Sequence, residues 1–213
     1  MSASCCEDVT FDGNNARYKR ALISVIAINA IMFVVEISAS IFSGSQALQA
    51  DALDFLADSV TYTVTILVVG KSLRTRASAA LFKGSSLAVM GVAVIGSTLY
   101  HLYNSDTPTA EIMGLTAGLA LAANLASVVI LIRFRDGDSN VRSVWICSRN
   151  DALGNVAVLI AAWGVWETDS ALPDLIVAGF MASLFLYGAT QIIRQARAEL
   201  ASDALDSEPA HTH

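Results

Sequence analysis

The sequence predicts an all-α polytopic membrane protein: six transmembrane helices in one bundle, with both termini on the cytoplasmic side. Three observations carry this. The mean hydropathy is +0.56, and 54% of the residues are apolar against 15% charged, a balance foreign to soluble domains. The chain divides into six apolar stretches of about 20 residues or more, the length a helix needs to cross roughly 30 Å of hydrocarbon. All thirteen Lys and Arg residues fall on one side of the map these stretches define.

The elements follow in order. Residues 1–19 form a polar, acidic tail with no cleavable signal, so the first span, near 20–43, also directs insertion. The short "SGSQ" leads to the second span, 47–70, and Lys71, Arg74, Arg76 and Lys83 flank the next connection before the third span, 79–103. "NSDTPTA" precedes the fourth, 110–133; "GLTAGLALAANLAS" there and "GSSLAVMGVAVIGS" in the third place small residues at helical spacing, which lets helices approach closely. Arg133, Arg135, Arg142 and Arg149 flank the connection to the fifth span, 141–166. The sixth, 172–194, opens on Pro173 and Asp174, a residue pair suited to a helix N-terminus, and ends at Arg194 and Arg197. Short connections make successive helices antiparallel neighbours, so residues 20–194 read as one domain, followed by a short tail, 195–213, too small to bury a core.

The opposite connections carry only Asp106, Glu111, Glu167, Asp169 and Asp174. By the positive-inside rule both termini are cytoplasmic, and the expected location is a bacterial inner membrane. A net charge of −6 and a pI near 4.9 argue against nucleic acid as a partner; the bilayer is the expected environment.

The second span, "ALQADALDFLADSVTYTVTILVVG", carries Asp51, Asp54 and Asp58. At roughly 100° per residue the three lie within about 60° of one another, an acidic stripe reaching about mid-membrane. Ionisable groups at that depth are costly unless neutralised, paired or hydrated. The bland reading is carboxyl groups paired to hold helices together. No Lys or Arg in the predicted outer halves is available as a fixed partner, so the compensating cation is expected to be mobile, a proton or a metal ion. Glu36, in the first span at a depth near Asp51 or Asp54, adds charge to that ion path.

The fifth span holds Cys147 and Asp151, four residues apart and on one face. Set antiparallel to the second span, Asp54 meets the level of Asp151, and Asp58 that of Cys147. Three carboxylate oxygens and one thiolate sulfur suit the four-coordination of zinc; oxygen ligands also fit manganese or ferrous iron, and the sulfur favours zinc or cadmium. Taken alone, a buried cysteine is ordinarily a small hydrophobe.

These motifs, Asp54-x-x-x-Asp58 and Cys147-x-x-x-Asp151, with "VVEISASIFSGSQALQADALDFLADS" and "RNDALGNVAVLIAAW" around them, resemble the transmembrane domain of the cation diffusion facilitator family, across essentially all six spans. The resemblance implies a homodimeric secondary transporter that exports divalent transition-metal ions from the cytoplasm in exchange for protons. The metal, Zn2+ above all, is then substrate and not cofactor. Two departures matter: Cys147 stands where the family usually has His, and only a short tail follows Arg194 where many members carry a cytoplasmic domain, leaving dimerisation to the transmembrane helices.

Other polar residues receive structural readings. Asn29, Asn124 and Asn155 are expected to bond other helices or backbone, and Arg149, about 200° from Asp151 around the helix, to point away. His101 reads as solvated at a helix end; Cys5, Cys6, His211 and His213 are weak candidates for metal capture. Two competing functions are an intramembrane metalloenzyme, for which no H-E-x-x-H or Ser, His and Asp set is present, and a proton-coupled transporter of a non-metal solute that uses Asp54 and Asp58 as proton carriers. An enzyme is not expected.

Overall fold

In hydrocarbon every backbone N–H and C=O must be satisfied within its own segment, so apolar stretches of this length fold as helices. The computed structural model, which describes residues 16–68, 72–104, 106–134 and 139–206 (side chains of 139–150 and 203–206 excepted), has six of them: α1 Ala16–Ser43, α2 Gln46–Val68, α3 Leu73–Asn104, α4 Ala110–Leu131, α5 Ser139–Thr168 and α6 Leu172–Asp206. A single 3-10 turn, Ile132–Phe134, continues α4. Among the described residues four helices are long and apolar enough to cross a membrane by length and composition: α1, α3, α4 with its turn, and α6. The other two, α2 and α5, are the helices that carry Asp51, Asp54, Asp58 and Asp151.

Two boundaries differ from expectation. α3 begins at Leu73, so Lys83 lies well inside the helix and does not flank it. α6 runs past Arg194 to Asp206, because "RQARAELASDAL" is rich in helix formers and Gln195 Nε2 donates to Glu199 Oε1 at 2.9 Å across one turn.

α1 packs on α2 and α4, α4 on α5, and α2 also touches α3, α5 and α6; α3 and α6 form the most extensive pair. That pair is close because α3 presents glycines. A Cβ on Gly84 would stand 2.8 Å from Ile193 Cγ1, and one on Gly91 2.9 Å from Leu186 Cδ2, so a larger residue at either position would have to push those side chains aside. Alanines dominate the largest buried cluster, among them Ala47, Ala50, Ala117, Ala161, Ala178 and Ala182. Large apolar side chains such as Phe42, Val89, Leu115 and Trp166 are exposed instead, as a lipid-facing surface requires.

At the α1–α2 turn Gly44 has φ 75°, the left-handed conformation that ends a helix at little cost only in glycine. Ser45 then caps α2, its Oγ accepting Leu48 N–H at 3.0 Å. Asp174, buried at the start of α6, reaches the same end of α2: it accepts the backbone N–H groups of Gln46 and Ala47 at 2.7 and 3.0 Å and the Ser45 hydroxyl. The residue expected to cap its own helix caps another. Asn124 Nδ2 donates to Asn155 Oδ1 at 3.5 Å, joining α4 to α5 as the sequence suggested.

Candidate metal centre

The acidic stripe on α2 divides. Asp51 is buried against α1, its carboxyl group within hydrogen-bond reach of that of Glu36. Asp54 and Asp58 line a cavity of about 710 Å³ with Asp151 of α5 and Lys83 of α3, walled by apolar residues including Leu87, Met90, Phe180 and Phe185. Asp54 is offset by about 60° from Asp51 around the helix, whereas Asp58, only about 20° away in angle, is separated from Asp51 by about 10 Å along the axis.

Asp151 lies within hydrogen-bond reach of both Asp54 and Asp58. Helix pairing explains this: α2 and α5 pack directly, and the i, i+4 spacing puts Asp54 and Asp58 one above the other on the face that meets α5. Asp58 is the most heavily attended of the three. Asn29 Nδ2 of α1 approaches its Oδ2 at 3.5 Å, the buried Tyr62 sets its side chain beside it one turn on, and Lys83 acts on it electrostatically.

Among the described residues, no three or more His, Cys, Asp or Glu side chains close around a common point as a metal cage would. The carboxylates share one cavity without forming a finished coordination shell. Cys147 lies on α5, one turn before Asp151, where the side chains fall outside the described residues, as does that of Arg149; Cys5, Cys6, His211 and His213 lie outside them too.

Lys83, in the inner part of the third span and so outside the outer halves named above, lines the same cavity as the carboxylates. It was legible as a basic residue inside the predicted third span, but it was grouped with the flanking cluster of Lys71, Arg74 and Arg76. The contacts of Asn29 and Tyr62 with Asp58 left no mark in the sequence beyond their polarity. Asp174, held by three donors at the start of α2, is structural. His101 is half-buried, with Nδ1 2.9 Å from Ser97 O one turn back.

Residues 22–201 match the family model described as the cation efflux transmembrane domain. The chain belongs to the cation efflux family. Among its relatives are proteins named zinc transporter ZitB: that of Yersinia pestis is 26% identical over 208 residues, covering 92% of this chain and 66% of the relative. That of Escherichia coli is 26% identical over 209 residues, covering 91% and 65%, and that of Pectobacterium atrosepticum 25% over 204 residues, covering 90% and 62%. The chain thus spans less than two thirds of the length of the relatives it matches, 66% of the first. The cation efflux match takes in all the carboxylates described above, Glu36, Asp51, Asp54, Asp58, Asp151 and Asp174. The relatives carry the name of a transporter, and the matched region is that of a cation efflux transmembrane domain.

Proposed function

We propose that this cation efflux protein carries divalent transition-metal cations, zinc first among them, out of the cytoplasm in exchange for protons. Asp54, Asp58 and Asp151 supply oxygen ligands and Cys147 a sulfur. The observation that carries the reading is the convergence of Asp151 on both Asp54 and Asp58 in one cavity between helices. The names of the relatives support zinc as the substrate.

The chemistry of exchange follows from the donor set. Carboxylates and a thiol hold a metal ion only when deprotonated, so each ion bound displaces protons, and a site opened to a more acidic side exchanges the metal for them. Three carboxylates leave the coordination shell unfinished, and a fourth ligand from α5 completes the tetrahedron that zinc favours. Alternating access would rock some helices against others around this site. The working unit is a homodimer in a bacterial inner membrane, joined through transmembrane helices. Apolar surface such as Phe42 and Trp166 is available to lipid or to a second copy.

A second reading, a proton-coupled transporter of a non-metal solute, draws on the size and apolar walls of the cavity: about 710 Å³ lies within the range of small-molecule pockets. One experiment separates the two. Metal-driven proton flux is measured in proteoliposomes with zinc, cadmium, cobalt, manganese and iron for the intact protein, Asp151→Ala and Cys147→Ser. Metal/proton exchange predicts flux with zinc or cadmium that disappears in Asp151→Ala, and a loss of cadmium preference in Cys147→Ser. Proton coupling that needs no metal would favour the second reading, and a fully active Asp151→Ala would remove the metal site as drawn.

A further inference from the structure

The cavity that holds the three carboxylates also holds a cation of the chain's own. Lys83 lines it alongside Asp54, Asp58 and Asp151, near enough for its ammonium to attract the Asp58 carboxylate. The next residue, Gly84, faces α6 so closely that a Cβ would stand 2.8 Å from Ile193 Cγ1 and 3.1 Å from Ile192 Cγ2. Lys83 thus sits next to a close α3–α6 contact, on the part of α3 that lines the cavity. It stands about 15 Å along the helix from Leu73, four residues into the apolar stretch that begins near 79.

We infer that Lys83 is a tethered counter-cation of the metal site, neutralising part of the carboxylate charge while the site is empty and giving way when a divalent cation binds. The inference rests on the metal reading above. Three carboxylates in one intramembrane cavity cannot be presented to alternate sides of a bilayer without compensation, and Lys83 supplies one positive charge that never leaves the protein. A protonated lysine has no lone pair, so it cannot ligate a metal; it competes with the metal for Asp58. Its flexible four-carbon stem lets the charge swing aside without backbone movement. The result is a site that binds less tightly than its donors allow and releases more readily, and whose empty form is less costly to reorient.

The test is a Zn2+ titration of the purified full chain, intact and as Lys83→Met, Lys83→Gln, Lys83→Arg and Asp58→Asn. Removal of one charge several ångströms from the ion is expected to tighten zinc binding roughly tenfold in Lys83→Met and Lys83→Gln, a gain absent from Lys83→Arg. In proteoliposomes net zinc efflux by Lys83→Met should slow more than zinc-for-zinc exchange does, because exchange needs no return of an empty site. Intact affinity in both neutral variants, with zinc binding by the intact chain and its loss in Asp58→Asn, overturns the role of Lys83 and leaves the metal site standing. An intact chain that binds no zinc, or an Asp58→Asn that binds it undiminished, removes the metal reading and this inference with it.

Discussion

The carboxylate of Asp174, at the start of α6, accepts the backbone N–H of Gln46, the first residue of α2, at 2.7 Å. Two helices separated by more than a hundred residues are thereby joined at a helix terminus, where the free amides and the positive end of the dipole both favour an anion. Asp174→Ala leaves buried donors on Gln46, Ala47 and Ser45 unanswered. It is expected to cost about 1–3 kcal/mol. Thermal unfolding in detergent reads this, and Asp174→Asn, which keeps an acceptor oxygen, should recover part of the loss.

Glu36 and Asp51 predict the opposite sign. Their carboxyl groups face one another, yet both oxygens of Glu36 and Oδ2 of Asp51 are buried with no donor among the described residues. Glu36→Gln supplies an N–H where two acceptors now oppose each other. Relief of about 1 kcal/mol should raise the unfolding temperature by about 2–4 °C. An unchanged or lower temperature would mean that a shared proton already satisfies the pair.

Metal affinity should fall as the solution is acidified. The ligands bind only in deprotonated form, so protons compete, and apparent Kd rises as pH drops, at most about tenfold per pH unit for each proton displaced. Zinc titrations near about pH 6 and about pH 8 compare the two ends of this range. Asp151→Asn, with one fewer displaceable proton, should show weaker binding with a shallower slope. An affinity independent of pH would leave the carboxylates outside the coordination shell.

The α3–α6 contact can be tested by size. Gly84→Leu must displace Ile193 and Ile192 and is expected to destabilise by about 1–3 kcal/mol. Gly96 faces open space, so Gly96→Ala should be neutral or stabilise by up to about 1 kcal/mol through helix propensity alone. Equal stability of the two variants would show that the pair does not depend on close approach.

Much of this architecture was readable beforehand. Six apolar stretches became six helices because the period of polar punctuation is a local property, and Asp54, Asp58 and Asp151 share a cavity because i, i+4 spacing and antiparallel pairing are nearly sufficient to align them. The full length of α6 is not legible in the same way: the bilayer's thickness sets the length of an apolar run but not of the helix that carries it, and α6 continues to Asp206. The approach of Lys83 to the cavity is not legible either, since charge counting assigns a lysine to an aqueous edge and says nothing of which buried anion its side chain also serves. The partner of Asp174 was invisible, because a carboxylate beside Pro173 fits its own helix N-terminus equally well, and only the three-dimensional path brings Gln46 and Ala47 to it.

The Asp174 clasp also determines how α2 can swing. A helix of 23 residues is a rod of about 35 Å; fastened to α6 at one tip, it turns about that tip. A rotation of about 5° then carries Asp54, about 12 Å from the fastening, through about 1 Å, and the far tip through about 3 Å. Asp54 sits on the short radius and Asp58, about 18 Å along, on the middle one, while the distant end sweeps the widest arc. Leverage of this kind would let a passage open or shut at the distant end with about twice the movement of Asp58 and about three times that of Asp54.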